Sequence, residues 1–149
     1  NDVVRVAKYL YQAGCYEISL GDTIGVGTPR RARTMLNAVA SEIPMTALAV
    51  HFHDTWGQAI ANIHACLEAG VRVVDSAVAG LGGCPYAAGA SGNVASEDVV
   101  YLLDGLGMSH GIDASALART GEWISTQLDR ASSSKAGRAL LARQSPAVD

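Results

Sequence analysis

Apolar residues open the chain at helical spacing: Val3, Val6 and Leu10 share one stripe, and Gly14 follows as a stop, which predicts an amphipathic helix. The period then drops to two. Tyr16, Ile18 and Leu20 alternate with Glu17 and Ser19, a strand signal that ends in the glycine-bearing run 21–27. Thr28-Pro29 reads as an N-cap followed by proline at the first helical position, opening a helix that carries Met35, Leu36 and Val39 and stops at Pro44. Residues 47–53 alternate again, with Leu48, Val50 and Phe52 on one face and Ala49, His51 and His53 on the other, because strand side chains have a period of two. Asp54 or Thr55 is placed to cap the next helix, whose stripe is Ile60, Ile63 and Leu67 and whose stop is Gly70. A third strand is predicted over 71–78, then a glycine-dense loop over 80–93, then a helix with Val99, Val100 and Leu103 that ends near Gly105. After Asp113 comes a helix with Leu117, Ile124 and Leu128, and the Ser132-Ser133-Ser134 tract beyond it reads as a peripheral, partly frayed tail.

Strands and helices alternate with short connections, the pattern of βα units feeding a parallel sheet, so the fold class is α/β. Three strands are visible, whereas a closed (β/α) barrel needs eight strands and typically ~250 residues; the chain would supply less than half of one. With 149 residues, 49% of them hydrophobic and 17% charged, it is long and apolar enough for one substantial core. A formal charge of −3 without a basic block argues against nucleic acid as a partner. No apolar run reaches the ~20 residues that span a bilayer, which argues against a membrane segment. Cys15, Cys66 and Cys84 form no C-x-x-C pair and are odd in number, as expected of a protein from a reducing compartment. The chain begins Asn1-Asp2 and runs straight into helical periodicity, with neither an initiator Met nor a signal-peptide pattern, so it is expected to be part of a larger protein.

Four features carry candidate chemistry. His51-x-His53 places two imidazoles on one face of a strand, able to bind one metal ion, at the carboxyl end of the strand where ligands gather in α/β folds. The alternative is a pair of surface or satisfied histidines. The loop Gly80-Leu81-Gly82-Gly83-Cys84-Pro85-Tyr86 presents a cysteine among glycines, where the plainer reading is a turn with an incidental thiol. In Gly89-Ala90-Ser91-Gly92-Asn93 the asparagine stands at a loop-to-helix junction, as a cap or as an amide donor to an oxygen-rich metal shell, and Glu97, one helical turn on, is placed to orient it. Asp22 is a strand-end acid or simply a turn-former beside glycine. His64, on an amphipathic helix, and His110, in a Gly/Ser-flanked loop, read as surface or packing residues.

The run Gly80-Leu81-Gly82-Gly83-Cys84-Pro85-Tyr86-Ala87, preceded by Asp75-Ser76-Ala77-Val78-Ala79, resembles the cysteine-loop signature of the hydroxymethylglutaryl-CoA lyase family. The resemblance extends through residues 18–25, 50–55, 89–93 and Glu97-Asp98, and fades after about Gly111. It implies the C-terminal part of a TIM (β/α)8 barrel: about three βα units over 1–111 and a helical extension and tail over 112–149. It also implies cleavage of 3-hydroxy-3-methylglutaryl-CoA to acetoacetate and acetyl-CoA. By the same resemblance His51, His53 and Asn93 are ligands of Mg²⁺ or Mn²⁺, Cys84 is the catalytic loop cysteine, and His51 and Asp22 are further catalytic groups.

The family's remaining ligand, an aspartate beside an arginine on the first strand, has no counterpart in these residues, so the resemblance implies an incomplete site and an inactive fragment. It also implies an acyl-CoA thioester substrate and a homodimer. The compartment is the cytoplasm for a bacterial protein or the mitochondrial matrix for a eukaryotic one. Two competing readings stand beside it: an acyl-CoA-condensing synthase of the isopropylmalate or homocitrate type, which also places H-x-H near a strand end, and a non-catalytic fragment.

Overall fold

The computed structural model describes residues 2–83 and 92–144, so the Cys84 end of the glycine loop and the start of the Gly89–Asn93 motif lie outside the described residues. The chain divides into two compact units, residues 1–75 and 76–149.

The first unit contains α1 (Asp2–Gln12), β1 (Ile18–Asp22), α2 (Pro29–Ala40), β2 (Leu48–Phe52), α3 (Ala59–Glu68) and β3 (Val73–Asp75). The three strands are all parallel in the order β1-β2-β3, with Ile18 opposite Leu48, Leu20 opposite Val50 and His51 opposite Asp75. Parallel neighbours need a crossover, and α2 and α3 supply it. Alternation decides the faces. Ile18, Leu20, Leu48, Val50 and Phe52 are all buried, together with Leu36 and Val39 of α2 and Ile63 and Leu67 of α3. Burying such a side chain contributes roughly 1.5–3 kcal/mol. The opposite face carries Ser19, Gly21, Ala49, His51, Val73 and Asp75, where Ser19 Oγ donates to Asp75 Oδ2 at 2.5 Å. Val73 is 38% exposed there.

Helix α2 begins at Pro29 as the sequence indicates, with Thr28 in an extended conformation, but the Thr28 hydroxyl makes no capping bond. The helix ends at Ala40, before Pro44, which instead precedes a 3-10 turn at Met45–Ala47. Helix α1 departs further from expectation. Val3, Val6 and Leu10 are 44%, 52% and 40% exposed, and Ala7 is its buried residue. The predicted stripe lines an open groove with Ile18, Leu20 and Met35 at the β1 edge of the sheet.

The second unit contains a 3-10 turn at Val78–Gly80, then α4 (Ser96–Gly105), α5 (Ala114–Gln127) and α6 (Lys135–Gln144). The third strand is shorter than the 71–78 expected, ending at Asp75, and Ala79 beyond it takes φ 56°, a left-handed conformation. Ala77 still forms a parallel bridge with Ala95. Asp113 caps α5, its carboxylate accepting from Ser115 N and Ala116 N, and these two bonds hold its pKa below the usual value. The Ser132–Ser134 tract is not wholly peripheral: Ser133 is exposed, but Ser134 is fully buried, and α6 follows it.

Candidate active site

The strand period brings His51 and His53 onto one face, and their rings meet edge to face with centroids 5.1 Å apart and planes at 81°. His53 is 8% exposed, and its Nδ1 lies 2.6 Å from the Thr23 carbonyl oxygen. A carbonyl only accepts, so Nδ1 carries the proton, and in the neutral imidazole Nε2 keeps its lone pair. This is the arrangement by which an outer carbonyl fixes the tautomer of a metal-ligating histidine. Thr23 acts through its backbone, so no side-chain pattern in the sequence marks it.

The loop that delivers the Thr23 carbonyl begins at Asp22, whose Oδ2 accepts from Gly27 N at 2.8 Å. The turn-forming reading of Asp22 is therefore realised, with Oδ1 left outside that bond. A β-carbon on Gly27 would lie 2.7 Å from Asp22 Oδ2, so this closure needs glycine. Gly27 O in turn accepts from Asn62 Nδ2 at 3.2 Å, from a fully buried side chain on α3. On the far side of His53, Asp54 Oδ1 accepts from Ala59 N at 2.9 Å, reaching forward over the turn to the first residue of α3. Asp75, which the sequence reading did not single out, stands in register with His51 on the same face.

In the second unit, Asn93 Nδ2 donates to Leu81 O at 2.9 Å, which ties the two ends of the glycine loop together. Its Oδ1 is buried and has no hydrogen-bond partner among the described residues. An amide oxygen held in that state is an acceptor awaiting a donor or a cation. Gly82, at φ 92°, allows the approach, since a β-carbon there would lie 2.8 Å from Asn93 Nδ2. Glu97 is 2% exposed, and both its carboxylate oxygens accept from Ala79 N at 3.0 Å; its bonds go to that backbone group and not to the Asn93 amide. Burial pushes the Glu97 pKa up, opposed by backbone hydrogen bonds.

The predicted residues thus fall into two groups. Asp22 at the end of β1 and His51 and His53 at the end of β2 belong to the first unit, Asn93 and Glu97 belong to the second, and Cys84 lies outside the described residues. Among the described residues no three His, Cys, Asp or Glu side chains cluster as a metal site. Of the sequence's other histidines, His110 pairs with Asp104 at 2.8 Å and accepts from Ile112 N, a structural role in the loop between α4 and α5.

Comparisons with known proteins point in one direction. Hydroxymethylglutaryl-CoA lyase of Pseudomonas mevalonii is 60% identical over 141 residues, which make up 95% of this chain and 47% of that protein. The crystal structure of the Pseudomonas aeruginosa hydroxymethylglutaryl-CoA lyase superposes with a TM-score of 0.91 at 59% identity, over 95% of this chain and 47% of that one. A lyase from Acinetobacter baumannii, solved with coenzyme A and 3-methylmalate, superposes with a TM-score of 0.85 at 33% identity, over 99% and 47%. The chain spans about half the length of these relatives, and its parallel strands with their helices correspond to part of a lyase TIM barrel. Residues 1–124 match the HMGL-like family model, and the chain belongs to that family.

Proposed function

We propose that this chain forms the C-terminal part of a lyase that splits 3-hydroxy-3-methylglutaryl-CoA into acetoacetate and acetyl-CoA by retro-Claisen cleavage. The observation that carries the reading is the tautomer of His53, whose Nδ1 is committed to the Thr23 carbonyl while Nε2 stays available. The buried Oδ1 of Asn93, which has no hydrogen-bond partner among the described residues, supports it. His51, His53 and Asn93 would hold a divalent cation, and a mixed nitrogen and oxygen donor set suits Mg²⁺ or Mn²⁺ better than a thiolate-rich set would. Such an ion, when bound, acidifies the tertiary hydroxyl of the substrate and fixes its oxygens.

The chain's own residues handle the protons. The hydroxyl proton passes to a base, for which Asp22 Oδ1 and His51 are the candidates, as the oxygen forms a carbonyl and the adjacent carbon–carbon bond breaks. The electron pair leaves on the methylene carbon of the acetyl-CoA enolate, and Cys84 supplies the proton that completes acetyl-CoA. Glu97 holds the Ala79 N–H just before the cysteine loop. The acyl-CoA class of substrate draws support from the relative solved with coenzyme A. We place the protein in a reducing compartment, bacterial cytoplasm or mitochondrial matrix, as a homodimer. No helix among the described residues is long and apolar enough to cross a membrane.

The test is acetoacetate release from the thioester by the complete polypeptide that contains this chain. Turnover there, with none from the 149-residue chain by itself, is the expected result. Condensation of acetyl-CoA with a 2-oxo acid in place of cleavage would overturn the reading.

A further inference from the structure

Ala79 immediately precedes the glycine loop, is fully buried, and sits at φ 56°. A non-glycine residue in this region costs on the order of 1–2 kcal/mol, so it persists only where the surroundings impose it. Both of its peptide groups are gripped. Its N–H is held by the buried Glu97 carboxylate of α4. Its carbonyl accepts twice from one residue on the segment joining α5 to α6: Ser133 Oγ at 2.9 Å and Ser133 N at 3.2 Å. Gly80, at φ 64°, is the next residue, and a β-carbon there would overlap Ser133 Oγ, so the hydroxyl is packed directly against the loop base.

The segment bearing Ser133 is itself anchored beside Glu97. Ser134 Oγ donates to Asp98 Oδ1 at 2.8 Å and accepts from Gly137 N at 2.9 Å, and Ala136 N donates to the same Asp98 oxygen at 2.7 Å. Glu97 and Asp98 are consecutive on α4, so the two grips on Ala79 share one foundation. From this arrangement we infer that Ser133 is a positioning residue: through the Ala79 carbonyl it sets the backbone from which the cysteine-bearing loop departs. The segment joining α5 to α6 is then part of what holds Ala79 and Gly80 in place.

The activity arm of the test rests on the lyase reading above; a second arm does not. In the complete polypeptide, Ser133→Ala and Ser133→Thr are compared with wild type in two measurements, kcat and KM for the thioester and the rate of Cys84 alkylation by iodoacetamide, followed by peptide mass spectrometry. Loss of one net hydrogen bond at the loop base corresponds to about fivefold, or about 1 kcal/mol. Ser133→Ala is expected to lower kcat about fivefold with KM within about twofold, and to raise the Cys84 alkylation rate by a similar factor. Ser133→Thr, which keeps the hydroxyl, restores both. A Ser133→Ala protein that melts earlier but, per folded molecule, keeps the wild-type kcat and alkylation rate would overturn the inference. If wild type cleaves no thioester, the lyase reading fails, and the alkylation rates alone decide the role of Ser133.

Discussion

Gly121 offers the sharpest contest between a local rule and a tertiary contact. It lies in the interior of the 14-residue α5, where replacing glycine by alanine ordinarily stabilises a helix by about 1 kcal/mol. A β-carbon at this position would overlap Glu97 Oε1 and stand 3.4 Å from Glu97 Cδ and 3.6 Å from Ala79 Cβ. Glu97 is 2% exposed and its carboxylate is held by Ala79 N, so the added methyl must displace a packed, hydrogen-bonded carboxylate. Overpacking of this kind costs about 1–3 kcal/mol, and weakening the bonds to Ala79 N adds a share of the ~1–3 kcal/mol due to an unsatisfied buried donor. These terms outweigh the propensity gain, so Gly121→Ala should destabilise by about 1–3 kcal/mol. Gly105, the last residue of α4, is the control: open space surrounds its β-position, and Gly105→Ala should be neutral or stabilising. Urea unfolding followed by circular dichroism separates them, with a lower midpoint for Gly121→Ala and an unchanged or higher one for Gly105→Ala. A Gly121→Ala midpoint at or above wild type would refute the argument that the Glu97 carboxylate is rigidly packed.

Three further outcomes are expected. His53→Ala should weaken Mn²⁺ binding by about tenfold or more, while Cys84→Ser leaves it intact and lowers kcat by ~10²-fold or more; manganese titration by electron paramagnetic resonance, paired with turnover, checks both. Because burial raises the Glu97 pKa, the native state binds that proton more tightly than the unfolded chain does. This stabilising contribution is fully present below the unfolded pKa and is lost as pH rises through the folded one. The melting-temperature advantage of Glu97→Gln over wild type should therefore be larger at pH 8 than at pH 4, and a gap that does not change with pH would contradict the assignment. Cys66 is buried with its thiol pKa pushed up to about 11, and Cys15 is exposed, so iodoacetamide at pH 8 should label Cys15 and spare Cys66 until the protein unfolds.

What the sequence determined by itself were the features set by local period and by backbone chemistry. Alternation at 18–22 and 48–52 specified two strands and put His51 and His53 on one face, because a pleated backbone leaves no other choice. Proline at 29 and glycine at 70 marked helix limits for equally local reasons. Residue types and their order also carried the family resemblance, to which the family match and the lyase superpositions correspond. Other features depended on residues far apart in the chain. The α1 stripe of Val3, Val6 and Leu10 obeys helical spacing yet stays largely exposed, because periodicity states which residues share a face and not what that face meets. The third strand is shorter than its pattern suggests, and beyond it Glu97 and Ser133 hold Ala79 in a left-handed conformation from 18 and 54 residues away. Separation in sequence likewise hid the Thr23 carbonyl bonded to His53 Nδ1 and made Ser134, in a polar serine tract, a buried anchor on Asp98. Hydrogen bonds to backbone groups leave no imprint on side-chain pattern, so only the tertiary structure could decide them.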